Sequence, residues 1–130
     1  MLHLIDRSVR GAMRAGIPVS VCGEMASNPL AVPILVGLGI GELSTTPSAV
    51  PIVKEIVHAL DQRDAESDAR RARESGTAME VRAIGAERLL RVGLLDHPDI
   101  GSWLRERPGR PRVLGAVATV VGVALIAAFG

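Results

Sequence analysis

The alternation of short strand-like segments with helical ones is the feature that most constrains the fold. Residues 1–16 repeat apolar side chains every three or four positions, which predicts a helix, and the β-branched run 17–22 predicts a buried strand. The apolar segment 29–38 predicts a buried helix, 40–44 a second strand, and the next helix runs to about Leu60. Strands that alternate with helices pair in parallel. The sequence therefore favours an α/β fold with crossover helices.

Loop and helix-end residues predict where these elements begin and end. Gly16 follows the first helix, at the position where a left-handed residue is common. The segment 23–28 is predicted to be a turn in which Ser27 or Asn28 caps the next helix, with Pro29 in its first turn. The apolar face predicted for the helix that ends near residue 60 consists of Val50, Val53, Val57 and Leu60.

Two further helices follow, and the first of them is polar. Within residues 64–75, Glu66 precedes Arg70 by four positions, which favours an ion pair. Thr77 and Glu80 have the spacing of a capping box, in which each side chain accepts from the other residue's backbone N–H. The side chains predicted to face the core are Ala65, Ala69 and Ala72 in the first helix, and Val81, Ile84 and Leu89 or Leu90 in the second.

The carboxyl-terminal part of the chain differs in composition from the rest. Residues 92–112 are rich in Gly, Pro and Arg and are predicted to form a linker. The segment 113–130 has no charged side chain, and as a helix it spans about 27 Å, close to the hydrocarbon thickness of a bilayer. It is predicted to be either a transmembrane helix, a buried helix or sequence added by a shifted reading frame. The predicted location is cytoplasmic, or the cytoplasmic face of the inner membrane if this tail is an anchor.

Composition excludes several classes of protein. The formal net charge is +1 and the only aromatic residues are Trp103 and Phe129, so neither an electrostatic nor a stacking mode of nucleic-acid binding is expected. The single cysteine, Cys22, excludes a disulfide framework within the chain and a multi-cysteine zinc site. A chain of 130 residues with 48% apolar side chains can bury the core of one domain.

Candidate functional residues follow the two predicted strands. Cys22 ends the first strand, and binding sites of parallel α/β folds lie at the carboxyl ends of strands. A thiol there can transfer a proton or attack an electrophile, although a cysteine in an apolar strand is often only a small core residue. Glu24 could orient a ligand or hydrogen-bond a neighbouring loop, unless it is a solvated turn residue. Glu42 and Ser44 are predicted to occupy the corresponding end of the second strand, with the same alternative.

Other candidate chemistry is weak. His3, His58 and His97 share no metal-ligand spacing with one another or with the cysteine, so no metal site and no functional role is predicted for them. The spaced glycines at positions 37, 39 and 41 lie between a helix and a strand, whereas a phosphate-binding glycine loop precedes a helix.

Three ordered motifs resemble one family. Residues 19–26 (VSVCGEMA), 37–44 (GLGIGELS) and 51–56 (PIVKEI) are similar to the carboxyl-terminal end of enzyme I of the bacterial phosphoenolpyruvate-dependent sugar phosphotransferase system, a PEP-utilising enzyme. The resemblance covers residues 1–91, whereas 92–130 do not resemble the family's usual ending. It implies a (β/α)₈ barrel that binds phosphoenolpyruvate and Mg²⁺. The expected fold is a partial barrel of about the last two βα units, with extra carboxyl-terminal helices.

The resemblance also implies roles for individual residues. In that family the cysteine of the Cys-Gly-Glu motif protonates the enolate carbon that remains when the phosphoryl group departs, and Cys22 matches it as general acid and base. Glu24 is the candidate substrate-binding residue. The phosphoryl group passes to a protein histidine and then to a phosphocarrier protein. The family's phosphorylated histidine and Mg²⁺ ligands lie on segments that this chain does not contain, so the isolated chain is predicted to be inactive.

A second hypothesis belongs to another class. The chain could be a non-catalytic interaction module, tethered to the membrane by residues 113–130 or assembled as a homo-oligomer or with a complementing barrel fragment. Two strands leave open sheet edges that such a partner would cover. A third possibility is that the chain has no independent function. The second hypothesis predicts association, which sedimentation would detect.

Overall fold

The computed structural model of the protein describes residues 1–98 and 100–101. Its elements in chain order are α1 (Leu2–Arg14), β1 (Ser20–Cys22), α2 (Glu24–Ser27), α3 (Val32–Gly37), β2 (Glu42–Ser44), α4 (Val50–Ala59), α5 (Gln62–Glu74) and α6 (Ala78–Arg91). Within the described residues, no helix is both long enough and apolar enough to cross a bilayer. The apolar tail 113–130 and most of the predicted linker lie outside the described residues.

The two strands pair in parallel, as the alternation with helices predicts. Ser20 aligns with Glu42, Val21 with Leu43 and Cys22 with Ser44. The chain between the strands contains α2 and α3, which form the crossover that parallel neighbours require. The described part of the chain is mostly helical with one two-stranded sheet. A closed barrel needs eight strands, so the partial barrel stays a prediction.

The end of α1 explains why β1 is shorter than the predicted strand 17–22. Gly16 has φ +69°, and the N–H of Ile17 donates to the carbonyl of Ala12 at 2.9 Å. The N–H of Gly16 donates to the carbonyl of Met13 at 3.1 Å, which completes a Schellman end. The prediction that Gly16 terminates the helix is therefore confirmed. The backbone of Ile17 is committed to the helix end, so the first hydrogen bond to the second strand segment is at Val19, whose carbonyl accepts from the N–H of Gly41 at 3.2 Å, and β1 itself begins at Ser20.

The predicted turn 23–28 is wrong in part, because it contains the short helix α2. Asn28 Oδ1 accepts a hydrogen bond from the N–H of Leu30 at 3.0 Å, so this side chain serves the turn before α3. Ser27 caps neither helix, and its hydroxyl contacts a loop elsewhere in the chain. The helix predicted over 29–38 begins at Val32, and its buried character is confirmed.

Two apolar clusters form the core, and α3 contributes to both. Ile34 and Leu35 pack in the cluster beneath α1, β1 and α5, whereas Val32 packs in the cluster formed with α4 and α6. Full burial of one such side chain stabilises the fold by about 1.5–3 kcal/mol. Ile100 is fully buried in the second cluster, so the chain continues to pack against the helices beyond Arg91. The predicted domain boundary at residues 91–92 stays a prediction.

The buried face of α4 differs from the predicted stripe. Val50 and Val57 are 39% and 42% exposed, and the buried positions of α4 are Ile52, Val53 and Ile56. Val53 belongs to both stripes, and Leu60, just beyond the helix, is partly buried against the second cluster as predicted. The observed orientation buries the two isoleucines, which carry more apolar surface than the two valines that it leaves in water.

The polar helix α5 presents a stripe of alanines to the core, as predicted. Ala65, Ala69 and Ala72 are all buried. The helix begins two residues earlier than predicted, because Asp61 Oδ1 accepts hydrogen bonds from the backbone N–H groups of Arg63 and Asp64 at 2.9 and 3.3 Å. The predicted pairing of Glu66 with Arg70 is not formed. Instead, Gln62 donates to Glu66 Oε1 at 3.1 Å.

The capping box predicted for α6 is confirmed. The N–H of Glu80 donates to Thr77 Oγ1 at 3.2 Å, and the N–H of Thr77 donates to Glu80 Oε2 at 3.3 Å. Ile84 and Leu89 are buried, whereas Leu90 is 60% exposed. The alternative that the sequence left open is therefore resolved in favour of Leu89, because the two positions are 100° apart on a helix.

An ion-pair network joins α5 to α6. Arg88 is 6% exposed, and its Nε and Nη1 donate to Asp68 Oδ2 and Asp64 Oδ2, each at 2.6 Å. Asp68 is 3% exposed and also accepts from Arg71, which in turn donates to Glu87 at 2.8 Å. The hydrogen bond to Asp68 raises the pKa of Arg88 and outweighs burial, which lowers it. Both buried charges are therefore satisfied, as burial of an ion pair requires.

A second ionic contact ties α1 to α5. Asp6 Oδ2 accepts from Arg73 Nη1 at 2.7 Å and lies 2.9 Å from Arg10 Nη2. Burial raises the pKa of Asp6, but the hydrogen bonds and charges of Arg10 and Arg73 outweigh it and hold the pKa below the ordinary 3.8. The charged form of Asp6 is therefore favoured by folding.

This contact predicts a pH dependence of stability. Because the pKa of Asp6 is lower in the folded chain, its contribution is complete above the ordinary value of 3.8 and is lost as the pH falls through the folded pKa. We expect Asp6→Asn to flatten the fall in unfolding free energy between neutral and strongly acidic pH, measured by urea titration. Arg73→Met, which removes one of two partners, should flatten it less. Parallel curves for the wild type and Asp6→Asn would contradict this role.

Candidate functional site

The carboxyl ends of β1 and β2 lie side by side and bring two of the predicted site residues together. Cys22 and Ser44 are register partners in the parallel pair. Neighbouring strands are about 4.8 Å apart, so the two residues are adjacent at this edge. Cys22 is partly exposed and Ser44 is exposed. The thiol therefore lies at the strand end, beside the loops, and is not enclosed in the core.

The two faces of the sheet have different chemistry. Side chains alternate along a strand, so Val21 and Leu43 point to the face that packs against the helices, where Val21 is fully buried. The opposite face carries the polar and sulfur-containing side chains of the two strands, namely Ser20, Cys22, Glu42 and Ser44. Three of these four are exposed. This open face is where a ligand could approach the thiol.

The structure corrects the placement of Glu42. It is the first residue of β2 and aligns with Ser20, so it lies at the amino end of the strand. The predicted strand 40–44 put Glu42 near the carboxyl end, but the observed strand has three residues. Glu42 shares a face with Cys22, two positions further from the loops. Ser44 occupies the end that the sequence predicted.

Glu24 begins the helix α2, immediately after a glycine turn. Gly23 has φ +82° and ψ −154°, a combination that only glycine adopts readily. The turn takes the chain from the end of β1 directly into α2, so that Glu24 is in its first turn and exposed. A carboxylate is favourable at this end of a helix, since the backbone N–H groups there are partly positive. The carboxylate stands two residues beyond the thiol.

A buried hydroxyl connects the loops that follow the two strands. Ser27 is 2% exposed, and its Oγ is 2.7 Å from Thr45 Oγ1 and 3.3 Å from the N–H nitrogen of Thr46. Ser27 Oγ also donates to the carbonyl of Gly23 at 3.2 Å. Sequence reasoning assigned Ser27 to helix capping and missed this contact. No local pattern signals it, because the partners are 18 and 19 residues away.

The histidines do not assemble a site in the described part of the chain. His3 and His58 are exposed on α1 and α4, and His97 Nε2 lies 3.6 Å from Glu55 Oε2. Within residues 1–98 and 100–101, no three His, Cys, Asp or Glu side chains are grouped so that they could hold a metal ion. These residues therefore do not supply the ligands of a Mg²⁺ site by themselves.

A cavity of about 210 Å³ opens between α1, α3 and α5, away from Cys22. Its charged lining consists of Asp6, Arg10, Glu66, Arg70 and Arg73. Both signs of charge are present, and Asp6 is already paired with two of the arginines. The cavity therefore presents no single-sign surface to a charged ligand.

Comparison with known proteins assigns the amino-terminal part of the chain to a class. Residues 1–62 match the family model described as PEP-utilising enzyme, PEP-binding domain. These residues include both strands, the connecting helices, Cys22 and Glu24. This part of the chain belongs to the PEP-utilising enzymes, at the carboxyl-terminal end of their sequence, as the three motifs predicted.

The individual relatives are phosphotransferases. A phosphoenolpyruvate-protein phosphotransferase of Cupriavidus necator is 47% identical over 64 residues, which are 48% of this chain and 11% of the relative. A protein of the same description from Haloferax volcanii is 40% identical over 84 residues, 65% of this chain and 15% of the relative. The phosphoenolpyruvate-dependent phosphotransferase system protein of Salmonella typhimurium is 39% identical over 82 residues, 63% and 11% respectively. The chain thus spans only about a tenth to a seventh of these curated relatives.

Proposed function

We propose that residues 1–91 form the last two βα units of a phosphoenolpyruvate-binding barrel, in which Cys22 is the general acid and base. The observation that carries this proposal is the position of the thiol at the carboxyl end of a parallel strand, partly exposed and beside Ser44. Parallel barrels build their active sites at this end of the strands. Membership of residues 1–62 in the PEP-utilising family supports the substrate.

The chemistry assigned to Cys22 is proton transfer to carbon. When the phosphoryl group of phosphoenolpyruvate passes to a protein histidine, the oxygen keeps the bonding electrons and an enolate remains. The thiol S–H bond breaks, its proton forms a C–H bond at the methylene carbon, and pyruvate and a thiolate result. Solvent then returns a proton to the sulfur. The partial exposure of Cys22 suits both steps, because the sulfur is open to a ligand and to water.

Glu24 is proposed as a substrate-orienting residue through hydrogen bonds. Its exposed position in the first turn of α2 places a carboxylate next to the loop that follows Cys22. Phosphoenolpyruvate is an anion, so Glu24 would repel its phosphate and carboxylate groups at close range. The role that suits Glu24 is therefore to accept hydrogen bonds from neighbouring donors and so fix the loop around the substrate.

The remaining partners are part of the same proposal. The two strands of the described residues cannot enclose a substrate, so the proposed site also needs further barrel strands and a phosphorylated histidine. A phosphocarrier protein is the acceptor proposed from the relatives' phosphotransferase names. The chain by itself is predicted to release no pyruvate.

A chimeric enzyme tests the proposal. The matching segment of the Cupriavidus necator relative, which is 47% identical, is replaced by the corresponding residues of this chain. We expect the chimera to release pyruvate from phosphoenolpyruvate in the presence of a phosphocarrier protein. Cys22→Ala should lower pyruvate formation at least about 100-fold, because a positioned general acid contributes roughly 10²–10⁴-fold.

The control is a single substitution at a residue that lies far from the carboxyl ends of the strands. His58→Gln changes an exposed residue of α4 and should leave the rate of pyruvate release unchanged. A folded chimera that binds phosphoenolpyruvate but releases pyruvate equally fast with and without Cys22→Ala would refute the role of the thiol. Pyruvate release by the purified 130-residue chain alone would refute the need for complementing strands.

A further inference from the structure

The hydroxyl of Ser27 is completely used in joining two loops. A serine hydroxyl has one proton to donate and can accept two hydrogen bonds. Ser27 donates to the carbonyl of Gly23, accepts from the N–H of Thr46 and shares a short 2.7 Å contact with the Thr45 hydroxyl. Since Ser27 is 2% exposed, water has little access to replace these partners. Loss of the hydroxyl therefore removes the partner of the Thr45 hydroxyl and of the Thr46 N–H, whereas the Gly23 carbonyl keeps its hydrogen bond from the N–H of Ser27 at 3.2 Å.

The two loops are the ones that flank the candidate site. Gly23 directly follows Cys22, and Thr45 directly follows Ser44, the register partner of Cys22. The serine, with its partners Gly23, Thr45 and Thr46, thus forms a clasp across the carboxyl ends of both strands. These four residues are the Ser27 clasp.

The backbone around Cys22 needs such a restraint. Each strand has only three residues, so few ladder hydrogen bonds hold the register at this edge. Gly23 is the most permissive residue type and adopts φ +82°, which leaves the chain after Cys22 free to rotate unless another contact holds it. The Gly23 carbonyl accepts hydrogen bonds from both the N–H and the hydroxyl of Ser27, each at 3.2 Å. Of these two groups it is the hydroxyl that also contacts Thr45 and Thr46, so it fixes the turn after Cys22 to the loop after the second strand.

We propose that Ser27 is a positioning residue that holds the Cys22 thiol at a fixed place relative to the end of β2. Its relevance to catalysis rests on the proposed function, whereas its effect on the thiol can be measured without substrate. Removal of the hydroxyl should detach the turn after Cys22 from the loop after β2, so that the sulfur becomes more accessible and the Thr46 N–H exchanges more easily with solvent.

Two measurements on the full chain test the clasp. Cys22 is the only cysteine, so the rate of alkylation by iodoacetamide reports on its sulfur alone. Ser27→Ala is expected to raise this rate, and to speed hydrogen–deuterium exchange of the Thr46 amide roughly tenfold, the loss expected for one hydrogen bond. Thr45→Val, which removes the hydroxyl that contacts Ser27, should also raise the alkylation rate. Thr45→Ser keeps the hydroxyl and should leave the rate near that of the wild type.

Thr77→Ala is the matched control, because it removes a hydroxyl from the α6 capping box and destabilises the fold without touching the clasp. It should change neither the alkylation rate nor Thr46 exchange. Equal increases in Thr77→Ala and Ser27→Ala, or an unchanged alkylation rate in Ser27→Ala, would overturn the proposal. Neither measurement involves phosphoenolpyruvate, so failure of the clasp and failure of Cys22 as a general acid are separate results.

Discussion

Substitution of Arg88 by methionine is expected to lower the free energy of unfolding by about 3–5 kcal/mol, the loss typical of breaking a buried ion pair. Asp68 is 3% exposed and would lose its 2.6 Å hydrogen bond from Arg88 Nε. The contact that remains, from Arg71 at 3.3 Å, comes from a side chain that is 48% exposed. Urea unfolding, monitored by circular dichroism, measures the loss of unfolding free energy.

Two comparisons identify the buried charge as the cause. Arg91→Met removes the exposed pair with Glu87 on the same helix and should leave the free energy of unfolding nearly unchanged, because water screens exposed ion pairs. The double substitution Asp68→Leu with Arg88→Met removes both buried charges and should recover most of the loss, since apolar replacements of buried pairs are often neutral. A double variant as unstable as Arg88→Met alone would show that packing, and not the unpaired carboxylate, determines the effect.

The second large effect is expected at Gly37, where α3 meets α5. A Cβ atom at this position would lie 1.9 Å from the backbone oxygen of Ala65, which cannot move without shifting α5. We expect Gly37→Ala to lower the free energy of unfolding by about 3 kcal/mol, at the upper end of overpacking. Gly85→Ala should behave similarly, since its Cβ would lie 2.0 Å from the backbone oxygen of Leu30. Thermal unfolding checks both.

At Gly11 the same Gly→Ala substitution is expected to stabilise the fold. It lies within α1, and nothing is within 4 Å of the position that its Cβ would take. Gly11→Ala should therefore stabilise the chain by about 0.5–1 kcal/mol, because alanine restricts the unfolded backbone and favours helix. If Gly37→Ala also raised the melting temperature, the close approach of α3 and α5 would not exist in solution.

The parts of the fold that local chemistry determines could be predicted from the sequence. The Schellman end at Gly16 and the capping box of Thr77 and Glu80 depend only on residues within one helical turn. Periodicity also located the alanine stripe of α5. It was wrong in part for α4, where apolar side chains occupy more positions than one face can bury, so that Val50 and Val57 are left partly exposed.

Contacts between distant segments could not be predicted in this way. Arg88 on α6 pairs with Asp64 and Asp68 on α5. The sequence does not predict this pairing, because several arginines could pair with the carboxylates of α5. In the candidate site, the rule that parallel strands present chemistry at their carboxyl ends placed Cys22 and Ser44 together. It misplaced Glu42, because which end a residue occupies depends on where a three-residue strand begins.

The two-sided β1–β2 pair has a consequence for assembly. The face of the sheet that bears Ser20, Glu42 and Ser44 is exposed to water. A partner that covered this face would have to dehydrate hydroxyl and carboxylate groups, and it would bury little apolar surface in return. Recruitment of additional strands would therefore be driven by main-chain amides and carbonyls along the margins of the ribbon. Strand addition of this kind depends on strand direction, so it favours a polypeptide strand of matching polarity over nonspecific apolar association.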